Sequence, residues 1–204
     1  MARRVEVFDL GMVLSSPDGL YDSLGTVLGV PANNVEQAFW VHRHPYDQGT
    51  SDREFWSLTT ELLGVPAPDE PQLAALVAAD VRGWHSPRPA ARAILAELEH
   101  AGVETAVLSN APSSFALAAP RFDWYDRIGT WFFSGPLGVA KPDPRIYEAV
   151  EQGLEAAPGS LWFIDDRQVN VDAAASRGWH AHLWVDDHDT RNWLVEAGFL
   201  APSA

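Results

Sequence analysis

The sequence predicts an α/β protein built on a parallel sheet, with a helical segment inserted after the first strand. Five short apolar runs lack strict polar alternation, which is typical of strands covered on both faces; they lie at 5–10, 103–110, 130–135, 160–166 and 180–185. Helical patterns separate the later runs, at 89–102, 144–154 and 171–178. Strands that alternate with helices favour a parallel sheet with right-handed crossovers.

The interval 20–84 has helical patterns and no convincing strand. Its predicted helices are 20–28, 34–41, 51–63 and 70–82, the third opening on a capping box of Ser51 and Glu54. Turn-rich segments flank the interval and resemble hinges. We therefore expect a Rossmann-like core of residues 1–15 and 86–204, with a small α-helical cap over 16–85.

Composition and charge limit the function classes. The chain has 204 residues, is 47% hydrophobic and has a formal net charge of −14. Such a surface repels nucleic acid and anionic membranes, so we expect neither as a partner. There are no cysteines, and the apolar run near residue 1 is too short and too acidic for a signal peptide. We expect a cytoplasmic protein that acts on a small molecule; the oligomeric state is not predicted.

Reactive side chains follow the predicted strands. Asp9 ends the first, Ser109 and Asn110 end the second, and Asp165 with Asp166 end the fourth. Ligands of open parallel sheets bind at these carboxyl ends. Taken singly, such residues are usually helix caps, turns or a solvated rim.

A lysine follows the third strand. Lys141 is the only lysine in the chain, and its loop belongs to the same edge of the sheet. Adjacent carboxylates such as Asp165 and Asp166 repel each other, and a divalent cation relieves that repulsion. The set predicts a site for a metal and a phosphoryl group.

Four motifs in order resemble those of the haloacid dehalogenase superfamily of aspartate-nucleophile hydrolases. They are VFDLGMVL (7–14), LSNA (108–111), GVAKPDPRIY (138–147) and FIDDRQVNVDAAASRGWHA (163–181). The helical interval lies between the first two, as in members with a helical cap. Within the superfamily, the Asp-Leu-Gly start and HRHPYDQGTSDREF (42–55) are most similar to bacterial sugar-1-phosphate phosphatases.

The resemblance implies an Mg²⁺ site. Asp9, the main-chain carbonyl of Gly11 and one or both of Asp165 and Asp166 would bind the ion, and Asn170 would orient the ligands around it.

The resemblance also implies catalytic and substrate-binding roles. Asp9 would be the nucleophile that takes up the phosphoryl group, and Ser109 and Asn110 would bind phosphate oxygens. Lys141 would neutralise the charge gathered by Asp9 and the phosphate, as a compact ammonium can and a larger guanidinium fork cannot.

The cap loop before Gly49 would choose the substrate, and we predict that His44 and Tyr46 contact it. Trp40 and Trp84 are candidates for the wall of a sugar pocket.

One position departs from the phosphatase pattern. Phosphatases of the superfamily carry a second aspartate two residues after the nucleophile, and Gly11 stands there. A proton donor would then come from the cap, with His44, Tyr46 and Asp47 as candidates, or the leaving group would depart unaided.

Three functions remain open from the sequence. The leading one is an Mg²⁺-dependent phosphatase of a small phosphorylated metabolite, a sugar phosphate being one candidate. The alternatives are a metal-independent 2-haloacid dehalogenase and a catalytically silent binding protein of the same fold.

Overall fold

A single parallel sheet forms the centre of the computed structural model, which describes residues 3–202. Its strands are β1 (Val5–Phe8), β2 (Glu104–Ser109), β3 (Thr130–Phe133), β4 (Leu161–Asp165) and β5 (His180–Leu183). Their order across the sheet is β3-β2-β1-β4-β5, and every neighbouring pair is parallel. The predicted α/β class with a Rossmann-like core is confirmed.

The strand that carries Asp9 lies at the centre of this sheet. In β1, Val5 pairs with Glu104 on one side and with Leu161 on the other. All four residues of β1 are buried, which explains the absence of a polar alternation in its sequence. The central position puts the end of β1 between the ends of β2 and β4.

The predicted helical interval after β1 contains five helices. They are α1 (Leu20–Leu28), α2 (Ala32–Val41), α3 (Arg43–Tyr46), α4 (Asp52–Leu62) and α5 (Glu70–Trp84). The Ser51 side chain accepts a hydrogen bond from the Glu54 amide at 3.2 Å, which is one half of the predicted capping box. The short α3 was not predicted, because four residues show no helical period.

The two chain segments that lead into and out of these helices run side by side. Ser15 forms an isolated bridge with Pro87, and the Arg88 amide donates to the Leu14 carbonyl at 2.8 Å. These contacts lie next to the predicted boundaries, and we propose that 16–85 is a cap joined to the core at this paired crossing.

Six further helices follow and pack on the sheet or its ends. They are α6 (Pro89–His100), α7 (Ser113–Ala118), α8 (Ser134–Leu137), α9 (Pro144–Leu154), α10 (Gln168–Ser176) and α11 (Asp187–Glu196). One hydrophobic cluster joins β1, β2 and β4 to α6 and α11, and a second joins the same strands to α9 and α10. The sheet is therefore covered on both faces. Among the residues 3–202, no helix is long and apolar enough to cross a membrane.

A buried carboxyl on β1 gives a stability prediction. Glu6 is fully buried, and neither carboxyl oxygen has a hydrogen-bond partner among the described residues. Burial raises its pKa well above the usual value of 4.5, although Arg4 opposes the shift. The folded state thus keeps a proton that the unfolded chain loses, so this group costs more stability as the pH rises above about 4.5.

We expect Glu6→Met to increase the free energy of unfolding by ~1–3 kcal/mol at neutral pH. The gain in stability over the wild type should shrink as the pH is lowered toward 4.5. The gain of Glu6→Gln should change with pH in the same way as that of Glu6→Met. Urea unfolding across this pH range measures both, with the exposed Glu36→Gln as control. Equal gains at all pH values would contradict the assigned protonation.

Candidate active site

The ends of three neighbouring strands bring the predicted acidic and hydroxyl groups together. Asp9 follows β1, Ser109 ends β2, and Asp165 ends β4 with Asp166 next to it. Asp9, Ser109 and Asp165 are buried, and Asp166 is partly exposed. The parallel topology produces this convergence, because all carboxyl ends lie at one edge.

The lone lysine lies inside this cluster. The Lys141 side chain is 1% exposed, and its Nζ lies 2.7 Å from Asp9 Oδ1 and 2.7 Å from Asp165 Oδ2. Nζ also donates to the Leu108 carbonyl at 2.8 Å. Three acceptors use all three ammonium protons. Lys141 therefore ties two strand-end carboxylates together, whereas the sequence predicted a link from Asp9 to the phosphate.

The backbone of Lys141 is fixed by Asn110. The Asn110 side chain donates to the Lys141 carbonyl at 3.0 Å and accepts from the Lys141 amide at 2.8 Å. Asn110 was predicted to bind phosphate; it lines the cavity, and this two-bond clamp uses only one of the two Nδ2 hydrogens. Sequence alone could not reveal this, since the partner lies 31 residues away.

Asp9 combines a buried carboxyl with one free oxygen. Oδ1 accepts from the Leu10 amide at 2.7 Å and contacts Lys141, while Oδ2 has no hydrogen-bond partner among residues 3–202. Burial raises the pKa of Asp9 to about 7, Lys141 lowers it, and Asp165 and Asp166 raise it further. A group that must act as an anion here needs more positive charge than Lys141 supplies.

The two adjacent aspartates have different surroundings. Asp165 Oδ1 accepts from the Arg167 amide and from Asn170 Nδ2, both at 2.8 Å, and Oδ2 accepts from Lys141. The side chain of Asp166 accepts no hydrogen bond within the described part of the chain. Its pKa is raised, mainly by burial and to a smaller extent by the negative charge of Asp165. Asp166 is consequently the freer of the two to hold a cation.

The carboxylates fit a hard divalent cation. Oxygen atoms of Asp9, Asp165 and Asp166 lie within 4.8 Å of one another, and carboxylate oxygens are the ligands that Mg²⁺ prefers. Asn170 Oδ1 is buried without a hydrogen-bond partner among the described residues. The predicted Gly11 carbonyl accepts from the Val13 amide at 2.7 Å and keeps a second lone pair.

A cavity of about 240 Å³ opens above this cluster. Besides the strand-end groups and Lys141, its walls include six apolar residues, namely Leu10, Met12, Trp40, Trp84, Ala111 and Phe115. Arg43, His44 and Asp47 reach it from α3 and the turn that follows. The inserted helices and the strand-end loops therefore both contribute to the cavity wall. Trp40 and Trp84, the two tryptophans proposed from the sequence as wall residues, both line it.

The two predicted substrate contacts of the cap differ in position. His44 lines the cavity and is exposed. Tyr46 is 1% exposed, stacks on Phe55 at 4.0 Å and bonds through its hydroxyl to Asp52 and Ser114. Packing therefore places the Tyr46 ring outside the wall of this cavity, and the substrate contact predicted for it stays a prediction.

A buried ion triad includes two residues of the cavity wall, Arg43 and Asp47, and Asp80 behind it. Arg43 Nε donates to Asp47 Oδ1 at 2.8 Å, and Arg43 Nη1 lies 3.0 Å from Asp80 Oδ2. All three side chains are at most 10% exposed. Burial raises the pKa of Asp47 to about 7 against the effect of Arg43, and burial also raises the pKa of Asp80. No signal in the sequence indicated that Asp80 belongs near the site, since its partner Arg43 lies 37 residues away.

Comparison with known proteins identifies relatives of the whole chain. A family model for haloacid dehalogenase-like hydrolases matches residues 28–178. The chain is similar to phosphatase MT3486 of Mycobacterium tuberculosis (strain CDC 1551 / Oshkosh), at 30% identity over 93% of this chain and 90% of the relative.

Two solved structures share the fold. One is a HAD family enzyme from Bacteroides thetaiotaomicron in complex with magnesium and inorganic phosphate, with a TM-score of 0.67, 18% identity and coverage of 89% and 94%. The other is L-2-haloacid dehalogenase from Xanthobacter autotrophicus with chloropropionic acid covalently bound, with a TM-score of 0.70, 23% identity and coverage of 98% and 85%.

Proposed function

Because the chain belongs to the haloacid dehalogenase-like hydrolases, we propose that it is an Mg²⁺-dependent phosphatase of a small phosphate monoester. The observation that carries the proposal is the cluster of Asp9, Asp165 and Asp166 around Lys141 at the base of a cavity. Three carboxylates and one ammonium leave negative charge that would repel a phosphate dianion. A bound divalent cation cancels that negative charge.

The residues then divide the work. Asp9, Asp166 and the Gly11 carbonyl would hold Mg²⁺, while Asp165 accepts hydrogen bonds from Lys141 and Asn170. When bound, Mg²⁺ supplies the positive charge that the phosphate oxygens and the carboxylates share.

Asp9 is the nucleophile of this mechanism. Lys141 fixes its Oδ1, so the free Oδ2 attacks phosphorus in line and forms an aspartyl phosphate as the bond to the leaving oxygen breaks. Ser109 donates its hydroxyl to a phosphate oxygen. Water then attacks phosphorus and releases inorganic phosphate, which returns Asp9 to its starting state.

The cavity wall limits the organic part of the substrate. A volume of about 240 Å³ holds a phosphoryl group and a compact organic group, and Trp40 and Trp84 are aromatic residues of its wall, the kind of lining that pockets for organic ligands have. A sugar phosphate remains a candidate on this ground. Phosphatase MT3486 and the magnesium- and phosphate-bound neighbour support the assignment to phosphoryl chemistry.

A 2-haloacid dehalogenase is the second candidate, and Gly11 favours it. The dehalogenases of the superfamily also lack the second acid, and the Xanthobacter structure has the same fold. In that reaction Asp9 would attack carbon and displace halide without a metal. The acidic pair Asp165 and Asp166 argues against it, because a haloacid is itself an anion.

Activity on two substrate classes tests the proposal. The protein is assayed with a panel of phosphate monoesters and with 2-haloacids, each with Mg²⁺ and with excess chelator. We expect phosphate release that Mg²⁺ supports and chelator abolishes. Halide release that persists in chelator would establish the dehalogenase, and no turnover of either class would leave a binding protein.

A further inference from the structure

The proposed phosphatase needs a proton at the leaving oxygen, and the residue that usually supplies it is replaced by Gly11. An unprotonated alkoxide is a poor leaving group, and positioned proton transfer is typically worth ~10²–10⁴-fold in rate. The donor must line the cavity, hold an exchangeable proton and be fixed in position.

The cap offers three candidates, and their positions separate them. The hydroxyl of Tyr46 is engaged by Asp52 and Ser114 outside the cavity. His44 is at the exposed side of the cavity. We propose that Asp47, a buried carboxyl that lines the same cavity as Asp9 and Lys141, is the acid–base residue for the leaving group. This inference rests on the proposed phosphatase function.

Contacts on both sides fix Asp47 at the junction with the core. Arg43 Nε holds Oδ1 at 2.8 Å. The main-chain carbonyl of Asp47 accepts from the Ser134 hydroxyl, and Ser134 Oγ accepts from the Ala111 amide at 2.9 Å. Ala111 follows Ser109 and Asn110 on the loop after β2. Asp47 is thereby tied to the loop that the proposed mechanism uses for phosphate, and Oδ2 accepts no hydrogen bond from the described residues.

The charges around Asp47 favour a retained proton. Arg43 is the one guanidinium between two buried carboxyl groups, Asp47 and Asp80. One positive charge cannot neutralise two buried carboxylates, so one carboxyl keeps its proton more readily than in water. The charge of Lys141 opposes this effect and favours the ionised form of Asp47. The carboxyl can then both give and take a proton near neutral pH.

The two steps balance with one carboxyl. In the first, Asp9 bonds to phosphorus, the bond from phosphorus to the leaving oxygen breaks, and the Asp47 proton passes to that oxygen to give an alcohol. In the second, the Asp47 carboxylate takes a proton from water while the water oxygen bonds to phosphorus and the Asp9–phosphorus bond breaks. Asp47 ends protonated, as it began.

Leaving-group dependence tests this assignment. The ratio of kcat/KM for p-nitrophenyl phosphate to kcat/KM for an alkyl phosphate is measured in the wild type and in Asp47→Asn. A nitrophenolate departs without a proton, whereas an alkoxide does not. We expect Asp47→Asn to increase the ratio on the order of 10²-fold, while its amide keeps the contact with Arg43.

Asp22→Asn is the matched control, because it makes the same substitution in the cap at an exposed residue that does not line the cavity. It should leave the ratio unchanged. In Asp47→Asn, adding Gly11→Asp should restore the ratio toward wild type, since a Cβ at residue 11 would lie 3.6 Å from Trp84 Cζ3, an ordinary contact.

The outcomes separate the two proposals. Turnover of both phosphates with an unchanged ratio in Asp47→Asn, or an equal increase in Asp22→Asn, would overturn the role of Asp47 alone. A wild type that hydrolyses neither phosphate in Mg²⁺ would overturn the phosphatase function itself.

Discussion

Replacing Asp9 with asparagine is expected to lower kcat/KM for p-nitrophenyl phosphate on the order of 10³-fold or more, even in excess Mg²⁺. An amide is a poor nucleophile and brings no negative charge to the cation, so the variant loses the attacking group and a metal ligand together. The contact with the Leu10 amide survives through the remaining carbonyl oxygen, so the fold should be retained.

Asp18→Asn is the control for this change. It makes the same chemical substitution at an exposed position nine residues along the chain and should leave kcat/KM unchanged. Circular dichroism and thermal unfolding establish that both variants are folded. An Asp9→Asn variant with near wild-type turnover would remove Asp9 from the mechanism.

Lys141→Arg is expected to lower kcat on the order of 10²-fold, the scale for losing one preorganised charge contact. The ammonium reaches three acceptors, Asp9, Asp165 and the Leu108 carbonyl, from one nitrogen at 2.7–2.8 Å. A planar guanidinium spreads its donors over a larger fork and cannot reproduce this arrangement in a buried site.

A variant with a smaller side chain tests whether the loss of kcat in Lys141→Arg comes only from the larger size of arginine. Lys141→Gln fits the space without the positive charge and should also be impaired, whereas Arg177→Lys, which changes an ion pair with Glu151 outside the cavity, should be active. Steady-state kinetics in saturating Mg²⁺ measure all three. A wild-type kcat in Lys141→Arg would show that the positive charge of Lys141 has a structural role and that its ammonium shape is not needed for catalysis.

The strand-end part of the site could be predicted because topology alone brings it together. Parallel strands have their carboxyl ends at one edge, so Asp9, Ser109 and Asp165 had to converge once the strands were recognised. Lys141 was identifiable by its rarity in the composition. The helices of the insertion were predictable from period and turn signals, with errors of a few residues at their ends.

The cap side could not be predicted, because it depends on contacts distant in the sequence. Asp47 is placed by Ser134, which lies 87 residues away, and that contact requires the short α8. In α8, Gly135 approaches the loop after β2 so closely that a Cβ would lie 2.5 Å from the Ser113 nitrogen.

Side-chain engagement was also hidden from the sequence. Asn110 and Tyr46 both have polar groups suited to a substrate, and both form hydrogen bonds to protein partners. A polar residue in a motif or loop signals a nearby site, but only tertiary packing decides whether its atoms remain free.

The central claim is that a phosphoryl group passes through Asp9 in an Mg²⁺-dependent reaction. The measurement that tests it most directly is acid quenching of the protein during turnover of p-nitrophenyl phosphate, followed by mass spectrometry of the peptide that contains Asp9. The account predicts a phosphoryl group on Asp9 that appears with Mg²⁺, disappears with chelator and is absent in Asp9→Asn. Rapid Mg²⁺-dependent hydrolysis with the phosphoryl group trapped on another residue would contradict it.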